Sequence, residues 1–251
     1  MFYGNFKGEN GKRFEQALAT INELCGSVYA ADNLIGIQRS AAFREDRRFV
    51  ETMKRNAQNS QERSLAWRLH TLVWAGQLAL RGQGDFVECG VWKGFSFAFL
   101  TDYLDFAATD KTLYLYDTFS GIPENMNSEN RNNAVYERAI ADDPDAILKI
   151  VQDRFAKVPN TRIVRGMVPD SFRQACPEQI ALLHIDMNSA ASEIAALEAL
   201  FDKVMPGGII LFDDYGWTGY SAQRHAENEF MAARGHSVLE LPTGQGMVIR
   251  H

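Results

Sequence analysis

From Asp85 onward, short apolar runs alternate with helical patterns, and no other feature limits the fold as strongly. "DFVECGV", "TLYLYDTF", "TRIVRG", "IALLHID" and "GGIILFDD" read as five strands. "FSFAFLTDYLDF", "DDPDAILKIVQDRFAK" and "AASEIAALEALFDKV" fall between them as helices, and "SAQRHAENEFMAARG" follows the fifth strand as another. Strands separated by helices need crossover connections, which makes the sheet mainly parallel. "SVLELP" and "GQGMVIR" are joined only through Pro242, Thr243 and Gly244, so they should form an antiparallel hairpin at one edge. The expected fold is α/β: a Rossmann-like, mainly parallel sheet of seven strands with an antiparallel C-terminal hairpin. A plain dinucleotide-binding sheet would keep its sixth strand parallel.

The first 84 residues read differently. Residues 1–10 look like a loose arm, and helices are expected over about 11–30, 41–57 and 61–81. In the last of these, Leu65, Leu69, Leu72 and Val73 recur near a 3.6-residue period, and Gly82 and Gly84 stop it. The expected organisation is an N-terminal helical extension or lid over 1–84 and a catalytic domain over 85–251. The formal net charge of −6 disfavours a nucleic-acid binder driven by phosphate contacts. No segment approaches the roughly 20 apolar residues of a membrane span. Three widely spaced cysteines, Cys25, Cys89 and Cys176, suit a reducing compartment, and a cytoplasmic location is expected.

Candidate chemistry gathers at the strand ends, where parallel sheets bind their ligands. In "FVECGVWKGFS", Gly90 and Gly94 flank the turn into a helix whose first turn holds Ser96. Glycines there let a backbone approach a ligand, and a helix N-terminus favours an anionic group. The spacing matches neither G-x-G-x-x-G nor a P-loop, and an ordinary tight turn is the alternative. Asp117 ends the second strand, 29 residues after Glu88. A carboxylate there can accept from ribose hydroxyls, or else serve as a cap or loop acid. Gly166 and Met167, after the third strand, stand where an adenine ring could lie. Asp186 ends the fourth strand, and Asp213 and Asp214 end the fifth. Three converging carboxylates would repel, and a divalent ion such as Mg²⁺ or Ca²⁺ would relieve that. Helix caps or arginine pairs are the alternative. His184 shares a strand face with Asp186, and His70 lies mid-helix; lone histidines are more often packed or exposed than catalytic. Tyr215, Trp217 and Tyr220 suit either a substrate pocket or the core. Residues 120–141, polar and Asn-rich, read as a lid, with some helix near 132–140.

Taken as an ordered set, "FVECGVWKGFS", "LYLYDTFSGIPE", "IVRGMVPDSF", "LLHIDMN" and "GGIILFDDYG" resemble the macrocin-type O-methyltransferases over about residues 85–250. The resemblance implies a class I methyltransferase sheet, S-adenosylmethionine as methyl donor and a Mg²⁺ ion. It implies Glu88 and Gly90 near the methionine part of the donor, with Val91 and Ser96 also among the donor-binding residues. Asp117 and Thr118 would lie at its ribose, and Gly166 and Met167 at its adenine. Asp186, Asp213 and Asp214 would form the metal site, with Asp186 also beside the donor as general base. The acceptor would be a hydroxylated small molecule, sugar-containing by family habit, and neither nucleic acid nor membrane would be a partner. A homo-oligomer through the N-terminal helices is compatible with this. One departure stands out: the family pattern "IDxDxYxS" reads "IDMNSAAS" here, with Asn188 for the second acid and Ala190 near the tyrosine position.

Overall fold

A computed structural model describes residues 2, 7–126 and 134–251. The chain divides into two compact units, 1–71 and 72–251, each described by itself.

In the first unit, α1 (Gly8–Cys25) leads into a hairpin of β1 (Val28–Ala31) and β2 (Leu34–Ile37). The expected helix over 11–30 therefore stops five residues early. Asp32 and Asn33 both sit at positive φ, 54° and 56°, which is the backbone of a two-residue type I′ hairpin turn. "Asp-Asn" between apolar residues is a turn signal that a helical reading passes over. Two helices, α2 (Arg47–Asn56) and α3 (Ser60–Ser64), are each capped by a side chain: Asp46 accepts from Phe49 N–H and Asn59 from Glu62 N–H. The helix expected over 61–81 is thus two pieces, with α4 (Ala66–Ala79) starting after Leu65. The division between the units falls within α4.

The second unit holds β3 (Asp85–Cys89), α5 (Phe95–Leu104), β4 (Leu113–Asp117), α6 (Ala134–Ala139), α7 (Ala146–Phe155) and β5 (Thr161–Arg165). It continues through β6 (Ile180–Ile185), α8 (Ala190–Leu200), β7 (Val204–Phe212), α9 (Ser221–Ala232), β8 (Leu239–Glu240) and β9 (Gly246–Ile249). The sheet order is β5-β4-β3-β6-β7-β9-β8. Strands β3 to β7 run parallel, and β9 enters antiparallel between β7 and β8, the expected hairpin. Pro144 precedes α7, and Asp145 stands at its N-cap.

Covering on both faces explains why β3, β4, β6 and β7 read as unbroken apolar runs. On one side, Leu183, Ile185, Ile210 and Phe212 form a core with Leu197 and Leu200 of α8 and Met231 of α9. On the other, Phe86 packs on Phe106, and Gly76 of α4 lets Leu100 and Leu104 of α5 come close. Burying an aliphatic or aromatic side chain contributes about 1.5–3 kcal/mol, so these layers fix the strand tips firmly. Among the described residues, no helix is long and apolar enough to cross a membrane.

Candidate active site

The first and fourth strand tips meet through a glycine. Gly90 donates its N–H to Tyr116 O, and Asp186 donates its own to Cys89 O. A Cβ on Gly90 would stand 1.8 Å from the Asp186 carbonyl oxygen, and its φ of +87° is one that side chains avoid. The turn therefore requires glycine at 90. Asp117 then secures it: Oδ2 accepts from Val91 N–H (2.7 Å) and Trp92 N–H (2.9 Å), and Oδ1 from Phe119 N–H (2.7 Å). Burial raises the Asp117 pKa, while the Phe119, Trp92 and Val91 amides oppose that rise. An ionised carboxylate has about four acceptor sites, and these three amides together with the Thr118 side chain surround this one.

Gly90, Asp117, Thr118, Gly166, Met167 and Asp186 all open onto one cleft. Glu88, Val91 and Ser96 do not line it: Glu88 points into the sheet, Val91 acts through its amide, and Ser96 lies in the first turn of α5. The sequence reasoning missed Ile122, Pro123, Tyr136, Met187 and Ser192 on the same walls. Position just after strands β4 and β6 was the available signal for most of them. The segment expected as a lid reaches the cleft: Tyr136 of α6 packs edge-on against Trp92 at 4.4 Å, and the Ser189 hydroxyl donates to Met126 O. The Asn-rich centre of that segment, 127–133, lies outside the described residues.

The acids at the β6 and β7 tips have protein partners. Asn188, at φ +56°, sends its amide to Asp186 Oδ1 at 3.3 Å. Asparagine is among the few residues that adopt this backbone readily. Asp213 Oδ1 accepts from Gln245 Nε2 at 3.0 Å and lies 3.7 Å from His184 Nε2. Among the described residues, no group of three or more His, Cys, Asp or Glu side chains is arranged to hold a metal ion. Asp186, Asp213 and Asp214 thus do not present a ready set of ligands for the expected Mg²⁺.

His184 sits inside the sheet, 2% exposed, with Glu88 Oε1 3.4 Å from Nδ1. Burial works against its charge, yet Asp213 and Glu88 carry its pKa up to about 10. Burial raises Glu88 to about 7 against the pull of His184. The result is a buried row, Glu88–His184–Asp213, crossing β3, β6 and the end of β7. His70 is exposed and lies against Phe43 within the first unit. Tyr215 is a core residue, buried beside Phe212 with its hydroxyl on Asn228.

The chain is 28% identical over 180 residues to the mycinamicin III 3''-O-methyltransferase of Micromonospora griseorubida, covering 68% of this chain and 70% of that one. It is 27% identical over 176 residues to an 8-demethyl-8-(2,3-dimethoxy-alpha-L-rhamnosyl)-tetracenomycin-C 4'-O-methyltransferase of Streptomyces olivaceus, covering 67% and 66% respectively. The fold matches the solved O-methyltransferase NovP with a TM-score of 0.61 at 22% identity, over 73% of this chain and 79% of that one. Residues 68–238 match the family model for macrocin O-methyltransferase, and the chain belongs to that family.

Proposed function

We propose that this chain transfers the methyl group of S-adenosylmethionine to a hydroxyl of a sugar or another polyhydroxylated small molecule. The observation that carries the reading is the single cleft onto which Gly90, Asp117, Gly166, Met167 and Asp186 open, at the C-terminal ends of parallel strands. The rhamnosyl group of the tetracenomycin relative's substrate supports a sugar acceptor.

S-adenosylmethionine supplies an electrophilic methyl group on a sulfonium sulfur. Gly90 lets the turn approach the ligand without a side chain in the way. Asp117, ordered by three amides of its loops, would accept from a ribose hydroxyl. Gly166 and Met167 form the adenine wall. Asp186, with one oxygen on the Asn188 amide, accepts the acceptor hydroxyl's proton as that oxygen attacks, a step worth about 10²–10⁴ in rate. Residues 121–126 and α6 exclude water from above. The carboxylates at 186, 213 and 214 show no ion-holding arrangement, so no step is assigned to a metal.

The test is a panel of nucleotide-linked sugars and glycosides incubated with S-adenosylmethionine, with S-adenosylhomocysteine formation as readout. Turnover that disappears in Asp186→Asn, with S-adenosylhomocysteine binding retained, is the expected result. Stabilisation by NAD with none by S-adenosylhomocysteine would overturn the reading.

A further inference from the structure

Behind the Asp186 loop lies a group of buried polar side chains that methyl transfer does not use. Glu193 of α8 and Glu227 and Gln223 of α9 are each 1–2% exposed. Glu193 Oε1 accepts from Gln223 Nε2 at 2.7 Å and from Met187 N–H at 3.2 Å. Glu193 Oε2, Glu227 Oε2 and Gln223 Oε1 are buried with no hydrogen-bond partner of fixed polarity. The two carboxyl groups reach each other across the helices. The charged neighbours are acids: Asp214 acts on both, and the Cys89 thiol on β3 faces Glu193.

Two ionised carboxylates so placed would repel by several kcal/mol even at an effective dielectric near 20. Among the described residues no metal-holding group of three takes them in. A single shared proton converts the repulsion into a short, charge-assisted bond. Burial raises both groups, Glu227 to about 7 and Glu193 well above its usual range.

We propose that Glu193 and Glu227 are positioning residues: as a carboxylic acid–carboxylate pair they fasten α8 to α9 and, through the Met187 amide, fix the loop that carries Asp186. The importance of that loop rests on the Asp186 reading above, but the pair's own behaviour does not. The helix begins directly after the loop, with Ser189 capping Ser192 N–H, so movement at residue 193 is passed to residues 186–189. The pair sits on helices and a loop rather than at the ligand, so donor binding need not change when it titrates.

The test is hydrogen–deuterium exchange of the full chain, following the 186–189 segment from about pH 7 to about pH 9.5 and correcting for intrinsic exchange. In the wild type, protection should fall about tenfold or more as the shared proton leaves. In Glu227→Gln, whose amide supplies a donor that cannot titrate, the fall should be at least about fivefold smaller than in the wild type, what remains coming from the His184 row. Glu193→Gln should behave alike, since its carbonyl can still accept from Met187 while its amide donates to Glu227, and it serves if Glu227→Gln does not fold. His184 is unchanged in every variant, so its titration cancels in the comparison. Protection that is flat with pH in the wild type, or that falls equally in both folded variants, would overturn the proposal. Calorimetric S-adenosylhomocysteine binding, measured alongside, separates this outcome from a failure of the donor site.

Discussion

The two halves of the cleft are held by different kinds of group. The half formed by the β3, β4 and β5 tips is fastened through backbone amides: Val91, Trp92 and Phe119 all point at Asp117, and Gly90 brings the turn onto Asp186. The half formed by the β6 and β7 tips rests on ionisable side chains, with His184 between Asp213 and, from the neighbouring β3, Glu88, and with Glu193 against Glu227. Amides do not titrate. The first half, with Asp117 as its titrating anchor, should therefore break chiefly by geometry, and the second by changes of proton number.

The largest effects should come from geometry. Gly90→Ala drives a methyl group into the Asp186 carbonyl at a backbone angle that alanine avoids. It should cost about 4 kcal/mol or more and abolish the thermal shift given by S-adenosylhomocysteine. Asp186→Asn, in the other half, should lower methyl transfer by roughly 10²–10⁴ while leaving S-adenosylhomocysteine affinity within about twofold. Asp117→Ala removes the acceptor of three amides and should cost about 2–4 kcal/mol, readable in urea unfolding, along with most of the donor affinity. If Asp117→Ala spared stability, the contrast between the halves would fail.

The two halves were also unequally legible in the sequence. Strand order aside, the sheet could be read from apolar runs ending in Gly90, Asp117, Gly166 and Asp186, because burial on both faces imposes that pattern and close approach imposes glycine. The acid half was legible only at its tips. Asp186 and Asp213 stood out as strand-end carboxylates, but their partners Asn188, His184 and Gln245 depend on register and on β9 folding back beside β7. Glu193 and Glu227 looked like ordinary polar faces of helices, since nothing in spacing tells that α8 and α9 bury both against each other. In the first unit, residues 28–30 read as the end of a helix, which hides the β1–β2 hairpin and passes over the turn signal at Asp32 and Asn33.

Proton number should show in stability. His184 has a folded pKa of about 10 against an ordinary 6.5, so its contribution is complete below about 6.5 and lost as pH rises through about 10. Glu88, raised to about 7, works in the same direction: its contribution is complete below its ordinary value and lost as pH rises through 7. The melting temperature should therefore decline between about pH 6 and about pH 10, by roughly 5 °C or more. In His184→Gln the decline should shrink, measured by differential scanning fluorimetry. An equal decline in that variant would mean that the row across β3, β6 and β7 is not what senses pH.

The smallest expected effect is the most local. Asn188 holds a left-handed backbone and donates to Asp186 Oδ1 from the position where the family pattern has an acid. Asn188→Asp keeps the backbone nearly as comfortable, so the fold should change by no more than about 0.5 kcal/mol. It replaces a donor by a second carboxylate, which should disfavour ionisation of Asp186 through like-charge repulsion. The acid limb of the methyl-transfer profile should then move to higher pH with little change at its plateau. The same repulsion is what a divalent ion relieves, so Mg²⁺ should bind Asn188→Asp more tightly than the wild type in titration calorimetry. Equal Mg²⁺ affinity and an unmoved acid limb would mean that Asn188 only shapes the turn, and that the acid half gains nothing from its amide.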